Sequence, residues 1–337
     1  MARAAAETSI EIGVAAAVVA VEANAPRILV SRTAGDEAPG LPAGRFDPLS
    51  HRTLEIGLRA FVAEQTGLSL GYVEQLYTFG DRGRNATPGD EAPHVVSIGY
   101  LALTRLVANA GGLPAGVRLR SWYAFFPWED WRGGRPAILD RAILPPLRRW
   151  AADTAAEAAE GARRPLSRAE RLRLSFGVSD AEGGFAVEPG VWDEEKVLER
   201  YELVYEAGLL AEARRDGRPA ALARDDAPAL GEAMRFDHRR ILATAMGRLR
   251  AKLKYRPVVF ELLPDTFTLT ALQQTVEAIS GRHLHKQNFR RIVEGTALVE
   301  PTGGTAMTGG RPAALFRFRR EVVQERPAPG LRFGIRG

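Results

Sequence analysis

The stretch HKQNFRRIVEG, residues 285–295, gathers amide, ammonium and guanidinium groups around a single phenylalanine. At about 100° per residue, Phe289, Ile292 and Val293 fall on one face of a helix. Gln287, Arg290 and Arg291 fall on the other, flanked by Lys286 and Asn288. A guanidinium can bond both acceptors on the major-groove edge of guanine, a Gln or Asn amide can do the same with adenine, and an ammonium suits a phosphate. Many basic helix faces are merely solvated, so this one gains meaning from what surrounds it. Arg311, Arg317 and Arg319 lie on a following hairpin, where they would track backbone phosphates. Thr268 and Thr270 can cap the preceding helix and touch a phosphate as they do so. His283 and His285 form an H-x-H pair without a third ligand nearby, so they are expected at the surface and no metal site is assigned.

Regional charge points the same way. The 337 residues carry a net +5, but from Arg239 onward 18 Lys and Arg face 7 Asp and Glu, leaving +11 there and −6 in the rest. Such an asymmetry suggests a polyanionic partner, double-stranded DNA being the one suited to the helix above. An apolar fraction of 45% supports a large core and more than one domain. The absence of cysteine excludes disulfides, thiolate zinc sites and a cysteine nucleophile, and fits a cytoplasmic protein. The apolar run IGVAAAVVAV (12–21) lies between Glu11 and Glu22 and is too short for a membrane span, so it is assigned as a buried strand and no membrane association is expected.

The elements needed to position these residues can be traced along the chain. Segments 10–21, 27–32 and 94–105 have strand composition, and TLEIGLRAFVAEQTG (53–67) has helical spacing with Gly67 as a stop. Residues 1–135 therefore suggest an α/β/α sandwich in an α+β chain. Residues 136–230 are Ala- and Arg-rich and helical, as expected of an insertion, and 231–255 contain a long helix with Ile241, Leu242, Ala245, Leu249 and Leu253 on one side. Asp237 and His238 open that helix as an N-terminal cap. The aromatic run WYAFFPWEDW (122–131) is assigned to packing rather than to stacking on a base. After Pro257, residues 256–320 give three short helices and a Gly-rich hairpin, the order of a winged helix-turn-helix, and 321–337 form a tail.

YRPVVFELLPDTFTLTALQQTVEAISGRHLHKQNFRRIVEG, followed by GRPAALFRFRR, resembles the C-terminal winged helix of the Nudix-related transcriptional regulators of NAD metabolism, which include NrtR-like proteins and longer bacterial NAD regulators. The resemblance spans residues 236–320. It implies a linker helix, RLRAKLKYRP, that helps to form a homodimer. It also implies that the N-terminal half is a Nudix-like domain. Active Nudix hydrolases carry R-E-U-x-E-E-x-G-U, U being a bulky apolar residue; here AFVAEQTGL follows LPAGRF, with Ala60 for Arg, Phe61 for the first Glu, Glu64 retained and Gln65 for the last Glu. A Phe and a neutral Gln cannot replace two carboxylates around magnesium, so the resemblance implies no cofactor and no efficient hydrolysis. It implies instead an adenine-nucleotide effector (ADP-ribose, NAD or ATP), held by Arg32, Arg45, Glu64 and Gln65, and a repressor of NAD biosynthesis or salvage genes. The rival expectation is a hydrolase of ADP-ribose-like diphosphates.

Overall fold

The computed structural model describes residues 10–32, 35–81, 94–105, 112–159, 165–178, 192–225, 228–307, 312–325 and 330–331. A six-stranded sheet lies at its centre: β1 (Ile10–Glu22), β2 (Ala25–Ser31), β3 (Ala43–Arg45), β4 (Val73–Phe79), β5 (His94–Leu103) and β6 (Val117–Ser121), in the order β4-β5-β1-β2-β6 with β3 also paired to β1. Only β1 and β5 run parallel, and their register holds from Ile10↔His94 to Val19↔Leu103. In β1 the side chains alternate between two buried faces. Val14, Ala16 and Val18 meet Leu58 and Val62 of α1 (Leu54–Thr66), while Ala15, Ala17 and Val19 belong to the larger core on the other side.

That second side is covered by helices. Ser121 leads directly into α2 (Trp122–Phe125) and a 3₁₀ turn at Pro127–Glu129, which bury Trp122, Phe125, Phe126 and Trp128 completely. Next come a π-helical turn (Leu139–Ile143) running into α3 (Leu144–Ala152), then α4 (Thr154–Ala159), α5 (Arg168–Phe176), α6 (Val197–Glu206), α7 (Ala211–Arg215) and α8 (Pro219–Leu222). Finally α9 (His238–Leu253) lies between α6 and strands β1, β4 and β5. The helices of 136–230 share one continuous core with the sheet and α9, which extends from Ala15 to Leu331.

Several local features differ from what composition suggests. β3, β4 and β6 are short or half-polar strands without a run of β-branched residues. The β1–β2 hairpin turns on Ala23 and Asn24, both at positive φ (46° and 61°), a conformation usually marked by glycine. Asp237 does not cap α9 through its side chain. It is buried beside Arg240, and His238 Nδ1 accepts a hydrogen bond from the Leu41 N–H at 2.9 Å, tying the start of α9 to the sheet. Most surprising from the amphipathic pattern, Arg239 and Arg250 of α9 are buried, because acids on other helices wait for them: Glu212 for Arg239 and Glu129 for Arg250.

The C-terminal elements are a 3₁₀ turn (Val258–Leu262), α10 (Leu269–Ser280), α11 (Lys286–Thr296), the antiparallel pair β7 (Val299–Ala306) and β8 (Ala313–Phe318), and α12 (Val322–Glu325). Phe267 bridges to Phe316 and so joins the wing to the segment before α10.

Candidate nucleic-acid interface and nucleotide cleft

Two side chains anchor α11. Phe289 and Val293 are buried in the main core and fix the rotation of the helix, which leaves Lys286, Gln287, Arg290, Arg291 and Glu294 exposed along the opposite side. Asn288 is half-buried, and its Oδ1 accepts a hydrogen bond from Arg291 Nη2 at 2.8 Å. The pair is thereby pre-oriented as a planar amide and guanidinium side by side, at the cost of occupying one acceptor of Asn288. Gln287 and Arg290 carry no such tie to another described residue and are exposed.

The supporting residues divide. Thr268 is the N-cap of α10: its hydroxyl oxygen accepts from Ala271 N–H at 3.1 Å and the residue is buried, so it orients the helix. Thr270, in the first turn, is exposed and leaves its hydroxyl free to approach a phosphate. On the wing, Arg317 Nε donates to Glu300 Oε1 across the strands at 2.6 Å, which partly neutralises it although its side chain remains 64% exposed. Arg319 continues past β8, its backbone N–H bound to Leu298 O. Arg311 lies outside the described residues. His283 Nδ1 is 3.1 Å from Glu277 Oε2, while His285 precedes α11 at the surface. Among the described residues there is no group of three or more His, Cys, Asp or Glu able to hold a metal ion.

The four residues assigned to an effector do not converge. Arg45, on β3, is exposed and 3.7 Å from Glu11; Glu64 is exposed on α1. Gln65 is a clamp: its Nε2 donates to Ala43 O at 2.7 Å and its Oε1 accepts from Ala43 N at 3.3 Å. Phe61 fits over Gly44, where a Cβ would come within 2.7 Å of the ring, and stacks obliquely on His51 at 5.3 Å between centroids. The two positions that part from the Nudix carboxylate pattern therefore pack α1 onto β3, and neither points an anionic oxygen outward. Glu55, one turn earlier, is held by Arg59 at 2.9 Å.

Arg32 sits on the other face of the sheet. It lines a cleft of about 660 Å³ together with Asp36, Arg118, Arg120 and Glu232. The pairing Ile28↔Arg120 and Val30↔Arg118 puts both β6 arginines on the side away from α1. Arg120 pairs with Glu232, and Arg32 Nε donates to Asp36 O at 3.0 Å. Arg118 makes no ion pair with another described residue. Three guanidiniums thus line one cavity beside two carboxylates, and sequence position alone had pointed only to Arg32. The signal was the alternation Val117-Arg118-Leu119-Arg120, a half-buried strand with arginine on one side only.

With this geometry established, similarity to known proteins is informative. Residues 259–318 match the family model described as the NrtR DNA-binding winged helix domain. The C-terminal segment is thus similar to an NrtR winged helix. The ADPR responsive transcriptional repressor NtrR of Acinetobacter baylyi is 42% identical over 83 residues, 25% of this chain and a third of that repressor's length. Across nearly the whole chain the fold is similar to that of Shewanella oneidensis NrtR. The structure of that protein complexed with a 27mer DNA superimposes with a TM-score of 0.55 at 19% identity, covering 95% of this chain and 98% of that one. Its structure without DNA gives 0.51 at 19% identity, covering 92% and 95%. The likeness extends through the N-terminal sheet and helices as well as the winged helix, and no helix among the described residues is long and apolar enough to cross a membrane.

Proposed function

We propose that the protein is a homodimeric, cytoplasmic transcriptional repressor of NAD biosynthesis or salvage genes whose Nudix-like domain senses ADP-ribose or a related adenine nucleotide. The observation that carries this reading is the exposed row Lys286, Gln287, Arg290 and Arg291 on a helix held by buried Phe289 and Val293, within the segment similar to an NrtR DNA-binding domain. In this mechanism α11 enters a major groove, Gln287, Arg290 and Arg291 meet base edges, and Lys286, Thr270 and the wing arginines Arg311 and Arg317 meet phosphates. Two heads related by a dyad then read a near-palindrome.

The effector belongs in the cleft at Arg32, Arg118 and Arg120, whose charge suits a diphosphate. Arg120 would exchange Glu232 for the ligand, so binding changes a contact between β6 and the segment leading into α9. A ligand alters DNA affinity only by favouring one arrangement of the heads. The domain acts without hydrolysis because magnesium does not fit the box: Phe61 and Gln65 are committed to Gly44 and Ala43, and Glu64 stands alone. Selection of genomic fragments by the purified protein, with and without ADP-ribose, NAD or ATP, tests target and ligand together. Absence of any enriched fragment overturns the repressor reading. Magnesium-dependent phosphate release that is abolished by Glu64→Gln overturns the non-enzymatic one.

A further inference from the structure

Beyond the reading face lies the end of the helix that supports it. The C-terminal carbonyls of a helix have no intrahelical partners and must find others. In α10 these partners come from the Nudix-like body. Tyr123 Oη donates to Ala278 O at 2.8 Å, Arg250 Nε donates to Ile279 O at 2.9 Å, and the Trp131 N–H donates to Gly281 O at 2.8 Å. Arg250 is itself fixed by Glu129, through Nη1 to Oε2 at 2.7 Å and Nη2 to the Glu129 carbonyl at 3.1 Å. Glu129 also binds Arg200 of α6, with Nε and Nη2 at 2.6 and 2.8 Å from its two oxygens. Glu129, Arg200 and Arg250 have fully buried side chains.

The seat is closely fitted. Gly281 ends α10 at φ 75°, and a Cβ there would lie 2.5 Å from Glu129 O and 2.9 Å from the Tyr123 hydroxyl. Five residues later α11 begins, so whatever holds Gly281 also sets where the base-reading side chains sit. A second attachment lies at the far end of the head: Arg105 Nη1 meets Asp265 at 2.6 Å and Arg105 Nη2 meets Phe260 O at 3.3 Å. The clamp is also continuous with the cleft, because β6, which carries Arg118 and Arg120, runs through Ser121 straight into Tyr123 and Glu129.

We infer that Tyr123, Glu129 and Arg250 are positioning residues that lock the reading head onto the nucleotide-binding body, so that head and body of one protomer move as a single rigid unit. The inference rests on the proposed DNA-reading role of α11. It places the response to ligand in the relation between two protomers, and leaves none to a hinge inside one. Closely packed interfaces switch between discrete arrangements and do not flex smoothly.

The test uses the full chain, which has no native cysteine to interfere. Spin labels at Leu49→Cys on the body and Ala314→Cys on the wing, both exposed positions, report the intraprotomer distance by pulsed electron resonance when labelled protein is diluted into an excess of unlabelled protein. One narrow distance is expected, unchanged to within about 2 Å by saturating ADP-ribose. Tyr123→Phe, which removes one hydroxyl and keeps the ring, and separately Glu129→Gln, should broaden that distance or add a second. A merely structural role would lower the melting temperature of these variants and leave the distance as it was. A shift beyond that range in the unmutated protein, or identical distributions in all three, overturns the inference. Calorimetry on the same samples separates the two ideas: if ADP-ribose does not bind, the effector assignment falls, and the comparison of widths still decides the clamp.

Discussion

Replacing Glu129 by glutamine changes one atom type at a fully buried charge. The carboxylate receives three guanidinium N–H donors at 2.6, 2.8 and 2.7 Å, and the side chains of all three residues are fully buried. Burial works to raise the Glu129 carboxyl, but Arg200 and Arg250 outweigh it and hold it below the ordinary value of 4.5. Glutamine keeps the shape, loses the charge, and presents an NH₂ group to one of the donors. Two buried arginines would then share no counter-charge there, and breaking a buried pair from one side costs about 3–5 kcal/mol. At roughly 2–3 °C per kcal/mol for a chain of this size, the melting temperature should fall by about 6–15 °C.

Acid provides an internal control for that estimate. A carboxyl with a depressed folded value contributes stability that is present above its unfolded value and is lost as pH falls through the folded one. The gap in melting temperature between the two proteins should therefore be full at pH 7 and narrow steadily below about pH 4.5. It should also resist added salt, because mobile ions do not reach the pair. Differential scanning calorimetry across pH and salt makes the measurement. A gap under about 2 °C at pH 7, or one that persists unchanged at pH 3, refutes the assignment of Glu129 as an ionised hub.

The other expectations can be stated briefly. Arg290→Ala should cost about 1–3 kcal/mol in binding to a selected fragment and relax base preference, with Arg291→Ala acting similarly, while neither changes the melting temperature; unchanged affinity in an electrophoretic shift assay counts against α11 as the reader. Burial first, then Arg235 and Arg215, push His238 down to about 3, so it stays neutral in the fold and costs stability as pH falls from 6.5 toward that value; His238→Asn should flatten that slope of roughly 1.4 kcal/mol per pH unit, and an unaltered pH profile in chemical denaturation removes the claim. Gly281→Ala should weaken DNA binding and destabilise together, because it meets backbone and a positive φ at once; a variant as stable as the parent would mean that the α10 seat yields.

Where the sequence was legible, periodicity and caps acted alone. β1, β5 and α1 could be traced because apolar composition, helical spacing and a Gly67 stop are local signals, α10 by its Thr268 cap and Gly281 stop, and α11 by its amphipathic spacing alone. β4 and β6 escaped because an edge strand is half polar, and the Ala23–Asn24 turn because its positive φ is imposed by strand twist rather than by glycine. The cleft was half legible. Arg32 follows a recognisable strand, but Arg118 and Arg120 join it only through the pairing of β2 with β6, a contact about 90 residues apart that no local pattern records. Gln65 shows the converse: a polar residue at a motif position reads as a ligand contact, and in the fold both ends of its amide bond the backbone of Ala43.

The uneven distribution of charge needs a different explanation from the one it first invites. From Arg239 to the end, the excess of cations suggests a polyanion, yet ion pairs along α9 and at Lys254 take up much of it inside the protein. Arg239 pairs with Glu212, Arg240 with Asp81 and Glu202, Arg250 with Glu129, Lys252 with Glu74 at 3.1 Å, and Lys254 with Glu194 and Glu195. All of these acids lie in the negative N-terminal portion. The asymmetry is therefore in part the mark of complementary segments folding onto one another, and the cations left for DNA are those of α11 and the wing. Counterion release scales with the phosphates actually neutralised, at a slope of about 0.9 per contact. Lys286, Arg311 and Arg317 on each of two heads would give a log–log salt slope of about −5, where a count that added the five ion-paired cations of each protomer named above would require about −14. A slope of about −14 would mean that α9 opens its ion pairs to reach the duplex, which its burial beneath α6 and against the sheet forbids.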